Sequence, residues 1–102
     1  DYESVAADPD FDAYLKELAD ADVAALQPAE DLALWINAYN ALCVNHIVRH
    51  VRAKPEEPLA SILHLKKGST PVWDQEAGVV GGQGVSLNQI EHEMLRKRWN
   101  EP

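Results

Sequence analysis

Cysteine occurs once in the 102 residues, at Cys43, so an internal disulfide is excluded and the fold has to hold by packing and hydrogen bonding. Positive charge is scarce as well. Nine lysines and arginines stand against 17 acidic residues, a formal net charge of −8, which leaves no cationic surface from which a nucleic acid or an anionic membrane could release counterions. Long apolar runs are missing too: none approaches the roughly 20 residues that span a bilayer, so membrane insertion is not expected. No signal-peptide pattern, repeat or low-complexity segment occurs. The first residue is not Met, and the sequence leaves the compartment, cytoplasmic or exported, undecided. The acidic residues are spread through the first third, a pattern that serves solubility. What remains is one small domain over residues 1–102, able to bury roughly 60 to 65% of the surface its unfolded chain exposes.

The periodicities predict a mainly α domain with a small β-hairpin, an α+β arrangement. Asp8-Pro9-Asp10 opens a first helix whose apolar stripe is Phe11, Tyr14, Leu15 and Leu18. Asp20-Ala21-Asp22 is a connection, with a short turn through Val23–Leu26. A long helix from about 28 to 52 follows, with Leu32, Trp35, Ile36, Tyr39, Leu42, Cys43 and Ile47 as its main apolar arc and Val44, Val48 and Val51 on one flank. Only Asp31, Asn45 and Arg49 form a polar sector. A helix apolar over most of its circumference is packed on several sides, so this one is expected to be the central buried element. Two prolines in Lys54-Pro55-Glu56-Glu57-Pro58 break the pattern, and Leu59–Leu65 reads as one or two further helical turns. Val72-Trp73 is expected to pair with another strand. The glycines around Gln83 mark a hairpin, and Ser86 with Gln89 is a capping box that starts a last helix at about 87.

Two segments carry a more specific signal, Trp35-Ile36-Asn37-Ala38-Tyr39-Asn40-Ala41-Leu42 and Ser86-Leu87-Asn88-Gln89-Ile90-Glu91-His92 with Leu95-Arg96. Together they resemble the signature of domain-of-unknown-function family 547, W-I-N-x-Y-N-A-L followed by S-L-x-x-I-E-H-x-I-L-R. The resemblance extends from Asp1-Tyr2 to Arg98-Trp99-Asn100-Glu101-Pro102. Cys43, where Thr or another β-branched residue is expected, and Met94 in place of Ile depart from it. It implies a bacterial or archaeal source and leaves the activity open. It also implies that family members continue into a strand-like segment with an Asn-Cys pair, so this chain is read as the N-terminal part of a larger family domain.

Several residues could carry chemistry. On a 100° helical wheel Glu91 lies between Leu87 and Leu95 and is expected to point inward, where a carboxylate needs a hydrogen-bond donor. A structural hydrogen bond is the first reading and general acid or base work the second. Asn37 and Asn40 sit on the flank of a buried helix, where an amide competes for backbone groups, so both are expected to be held by specific partners. A polar network or ligand contact through Asn37, Tyr39, Asn40 and Arg96 would join the two motifs face to face. His92 is placed at a rim as a proton-transfer candidate, with an unperturbed pKa of roughly 6.5.

Cys43, His46 and His50 have ligand-like i, i+3, i+7 spacing. One helix rarely supplies three tetrahedral ligands, and no metal or other cofactor is expected. Burial in an apolar helix should raise the Cys43 thiol and leave it inert. Gly81-Gly82-Gln83-Gly84 lacks the Lys-Ser/Thr ending of a phosphate loop. Two functions follow: a scaffold or ligand-binding module for a small molecule or peptide, or the N-terminal part of a hydrolase-like, possibly thiol-dependent enzyme using Glu91 or His92, with the nucleophile beyond Pro102. The apolar face of Leu87, Ile90, Met94 and Leu95, with Trp99 and an unpaired hairpin edge, also leads us to expect a homodimer.

Overall fold

A computed structural model describes residues 2–53 and 70–95. The linker at 54–58, the apolar piece at 59–65 and the turn residues 66–69 lie outside the described residues, as do Arg96 and Trp99. The chain is mainly helical with one two-stranded hairpin, as its periodicities require.

Asp8 caps the helix it was expected to start: its Oδ1 accepts the Asp10 N–H at 2.9 Å, and Pro9 takes the first position of α2, Pro9–Asp20. A further helix, α1, Tyr2–Ala7, precedes it and was not anticipated. Its C-terminal end is held from far along the chain. Arg52 donates Nε and Nη2 to the Ala6 carbonyl at 3.0 and 2.8 Å and both Nη atoms to the Asp12 carboxylate at 3.1 Å. Six residues cannot sustain a helix alone, so this guanidinium and the packing of α1 on the long helix supply what local propensity does not.

A 3₁₀ turn, Val23–Ala25, leads to α3, Pro28–Ala53. The start of α3 is closed by the Gln27 N–H donating to Glu30 Oε1 at 3.0 Å. The helix is the central element, packing against α1, β1 and the last helical segment. Its deepest residues include Trp35, Ala38 and Leu42, which join Leu18 of α2, Ala77, Val80 and Val85 of the hairpin, and Leu87 and Ile90 in one core.

Val72 and Trp73 form a 3₁₀ turn, Val72–Asp74, in place of the expected strand pairing. The hairpin consists of β1, Glu76–Val80, antiparallel to β2, Gln83–Ser86. Gly81 and Gly82 form its turn at φ +59° and +81°, the left-handed conformation that a two-residue hairpin loop needs. Their N–H groups donate to the Leu18 and Ala19 carbonyls at 2.9 and 2.8 Å, docking the hairpin tip on the last turn of α2. The pairing slips between Glu76 and Gly78, leaving Ala77 as the extra residue of a bulge.

The capping box at Ser86 and Gln89 is present with both hydrogen bonds, 2.8 and 3.1 Å. It opens α4, Leu87–Gln89, which continues directly as a π-helical segment, Ile90–Leu95. Leu87 and Ile90 are fully buried, and Met94 and Leu95 pack against the same core. Among the described residues no helix is long and apolar enough to cross a membrane.

Candidate functional site

The buried line of α3 runs Trp35, Ala38, Leu42, Asn45, at spacings of three, four and three. With about 100° per residue this bearing turns Asn40 almost directly away from the hairpin and Asn37 well off the contact. Both asparagines are exposed. The expectation of a buried amide network at Asn37 and Asn40 is thus corrected: water solvates these amides, and no internal partner is required.

Glu91 is corrected in the same way, for a different reason. It stands on the π-helical segment, where hydrogen bonds reach i+5 and the 100° wheel no longer describes the angular step. The buried stripe passes through Leu87 and Ile90, and Glu91 is exposed beside it. Solvent removes the burial cost that its inward aim would have incurred. His92 is exposed, with Nε2 3.3 Å from Glu91 Oε2.

The helix carrying the first motif packs against the last helical segment, and Tyr39 packs against the core that Leu87 and Ile90 join. This half-buried phenol is pushed up by burial first, then by the neighbouring Cys43 and the Glu91 charge, which places Glu91 within electrostatic reach of α3. Cys43 is half-buried and its thiol is likewise raised by burial, with the neighbouring Tyr39 hydroxyl acting the other way. Such a thiol is a poor nucleophile. His46 is buried, its Nε2 has no hydrogen-bond partner among the described residues, and burial followed by the Arg49 charge pushes its pKa down. Among the described residues no three or more His, Cys, Asp or Glu side chains are grouped to hold a metal ion.

Among the described residues, concave surface is found elsewhere, at residues first read as the polar sector of α3. Asn45 is buried and donates its Nδ2 to the Ala77 carbonyl at 2.8 Å. Arg49, one turn later, donates Nη1 to the Glu76 carbonyl at 2.9 Å. The two side chains satisfy successive carbonyls at the β1 bulge, where ladder pairing is interrupted. An i, i+4 polar pair on a helix otherwise apolar nearly all round was the available signal. Its partners, 32 and 27 residues away, were not visible in it.

Beside this anchor is a depression of about 250 Å³, between α2, α3 and β1, lined by Leu15, Lys16, Ala19, Leu42, Asn45, Arg49, Glu76, Gly78 and Val79. Gly78 allows the close floor: a Cβ there would sit 2.6 Å from Leu42 Cδ2. A second, more polar depression of about 450 Å³ is lined by Arg49, Thr70, Gln75 and Glu76, so Arg49 and Glu76 border both. Neither is lined by Asn37, Asn40, Glu91 or His92.

No curated protein and no solved structure matches the chain. A family model described as "Protein of unknown function, DUF547" matches residues 23–102, from the 3₁₀ turn before α3 through both motifs. With that match over most of its length, the chain belongs to the DUF547 family.

Proposed function

We propose that this domain is a ligand-binding module whose site is the depression between α2, α3 and β1. The observation that carries the reading is Arg49. Its guanidinium is fixed by the Glu76 carbonyl at the border of both depressions, and among the described residues no carboxylate forms an ion pair with it. In a chain of net charge −8, a fixed guanidinium without an ionic partner at a concave surface is the arrangement of a binding residue. The polar residues of the two signature motifs then serve the solvated surface and the junction between α3 and the π-helical segment. The test is a thermal-shift screen of small anionic, cationic and neutral compounds, repeated on Ala19→Trp, which fills the depression from α2. Stabilising compounds should lose their effect in that variant; a screen whose hits are indifferent to Ala19→Trp contradicts the reading.

One observation favours a second reading, an acid–base role for Glu91 and His92 within a larger hydrolase-like enzyme: the 3.3 Å contact of the two side chains on π-helical winding, a backbone form frequent at functional sites. Hydrolysis of ester or amide substrates by the protein in its natural length, abolished by Glu91→Gln and by His92→Gln, would support it. Activity unaffected by both substitutions removes it.

A further inference from the structure

The binding-module reading can be taken one step further, to the chemistry of the ligand, and the following rests on it. We propose that the depression between α2, α3 and β1 takes a short aliphatic carboxylate, with its carboxylate on Arg49 and its chain on the apolar floor.

The charged end of the site is set by the donors Arg49 has left. A guanidinium carries five N–H donors, and the Glu76 carbonyl takes one of them, through Nη1. The remaining donors include the Nε–Nη2 pair, whose spacing a planar carboxylate matches and an alcohol or amine does not. Among the described residues no carboxylate forms an ion pair with Arg49. Lys16 is bonded to Asp20 at 2.9 Å, and the Glu76 carboxylate leans across β2, where its Oε2 is 2.6 Å from the position a Cβ on Gly84 would take. A carboxylate therefore finds one cation whose charge is not cancelled by an ion pair among the described residues.

The other end is apolar. Leu15 and Ala19 of α2, Leu42 of α3 and Val79 of β1 line it, and Val79 is the one large hydrophobic side chain counted as exposed among the described residues. The depression, about 250 Å³ and open to solvent, suits a small ligand, and a six-carbon acid is a matched probe. A peptide laid along β1 fits less well. Strand addition needs edge carbonyls, and those of Glu76 and Ala77 are already occupied by Arg49 and Asn45.

The experiment is a two-dimensional NMR titration of the full chain with sodium hexanoate, with 1-hexanol and hexylammonium chloride as matched controls. Hexanoate should shift the methyl signals of Leu15, Leu42 and Val79 and the Arg49 Nε–H signal, with a Kd on the order of 1 mM for so small a ligand. Affinity should rise roughly fourfold per methylene from acetate to hexanoate and level off once the floor is filled. Arg49→Gln should weaken binding about tenfold or more. Ala19→Trp, which leaves the Arg49 anchor in place, should remove the chain-length dependence. Added salt should weaken the hexanoate complex, since its charged end is near solvent.

Outcomes separate the two claims. If hexanol or hexylammonium shifts the same methyls as strongly as hexanoate, the carboxylate assignment is overturned and the binding module stands. A tripeptide with an apolar C-terminal residue binding more than tenfold tighter than hexanoate would replace the small acid with a peptide end. Should none of these probes perturb the methyls lining the depression at tens of millimolar, the site itself is refuted together with its ligand.

Discussion

The two faces of α3 use polar residues in opposite ways. Toward the hairpin, Asn45 and Arg49 are tied to the Ala77 and Glu76 carbonyls, and the Asn45 amide is buried. On the other face, the motif residues Asn37 and Asn40 lie in solvent. A polar residue on a buried helix is therefore no guide to its own burial. What decides it is whether a backbone group across the interface lacks a partner, and the bulge at Ala77 creates two such groups on one side of α3 only.

Substitutions on the two faces should separate accordingly. Leu42→Ala removes a side chain 1% exposed that lies against Gly78 of β1, and is expected to destabilise by about 2–5 kcal/mol in urea denaturation. Gly81→Ala comes next. It forces φ +59° on an L side chain and drives its Cβ to 2.7 Å from Val23 Cγ2, so a loss of about 1–3 kcal/mol is expected, with weakened docking of the hairpin tip on α2. Asn45→Ala leaves the buried Ala77 carbonyl without its donor and should cost about 1–3 kcal/mol, whereas Asn37→Ala and Asn40→Ala should stay within about 0.5 kcal/mol of wild type.

His46 adds a pH dependence to the buried side. Its folded pKa lies below the unfolded value of about 6.5 because burial and then the Arg49 charge disfavour the imidazolium, so the unfolded chain binds the extra proton first. The contribution is fully present above about pH 6.5 and is lost as pH falls through the folded value. Urea midpoints of wild type should drop between pH 7 and pH 5 more steeply than those of His46→Met. Equal slopes would show that His46 is solvated in the folded state.

Legibility in the sequence followed how local each determinant is. Asp8, Pro28, the Ser86–Gln89 box and the Gly81-Gly82 turn act within a few residues of themselves, and each stands where the sequence placed it. α1 was missed because its support is Arg52, 46 residues away from Ala6. Glu91 was turned the wrong way because a wheel assumes α winding, and Ile90–Leu95 is wound as a π-helix. The motifs identified the family, and of their candidate residues Asn37, Asn40, Glu91 and His92 are exposed and Tyr39 is half-buried. Asn45 and Arg49 were visible as a polar pair, but their meaning depended on a bulge in a strand that only the folded chain brings opposite them.

Backbone amide hydrogen exchange of the hairpin in Asn45→Ala and Asn40→Ala tests most directly which face of α3 holds the structure together. If the bonds to the β1 bulge anchor the hairpin, amides of Val79, Val80 and Val85 exchange faster in Asn45→Ala, by a factor set by roughly 1–3 kcal/mol, and are unchanged in Asn40→Ala. Faster hairpin exchange in Asn40→Ala, with Asn45→Ala behaving as wild type, would contradict it.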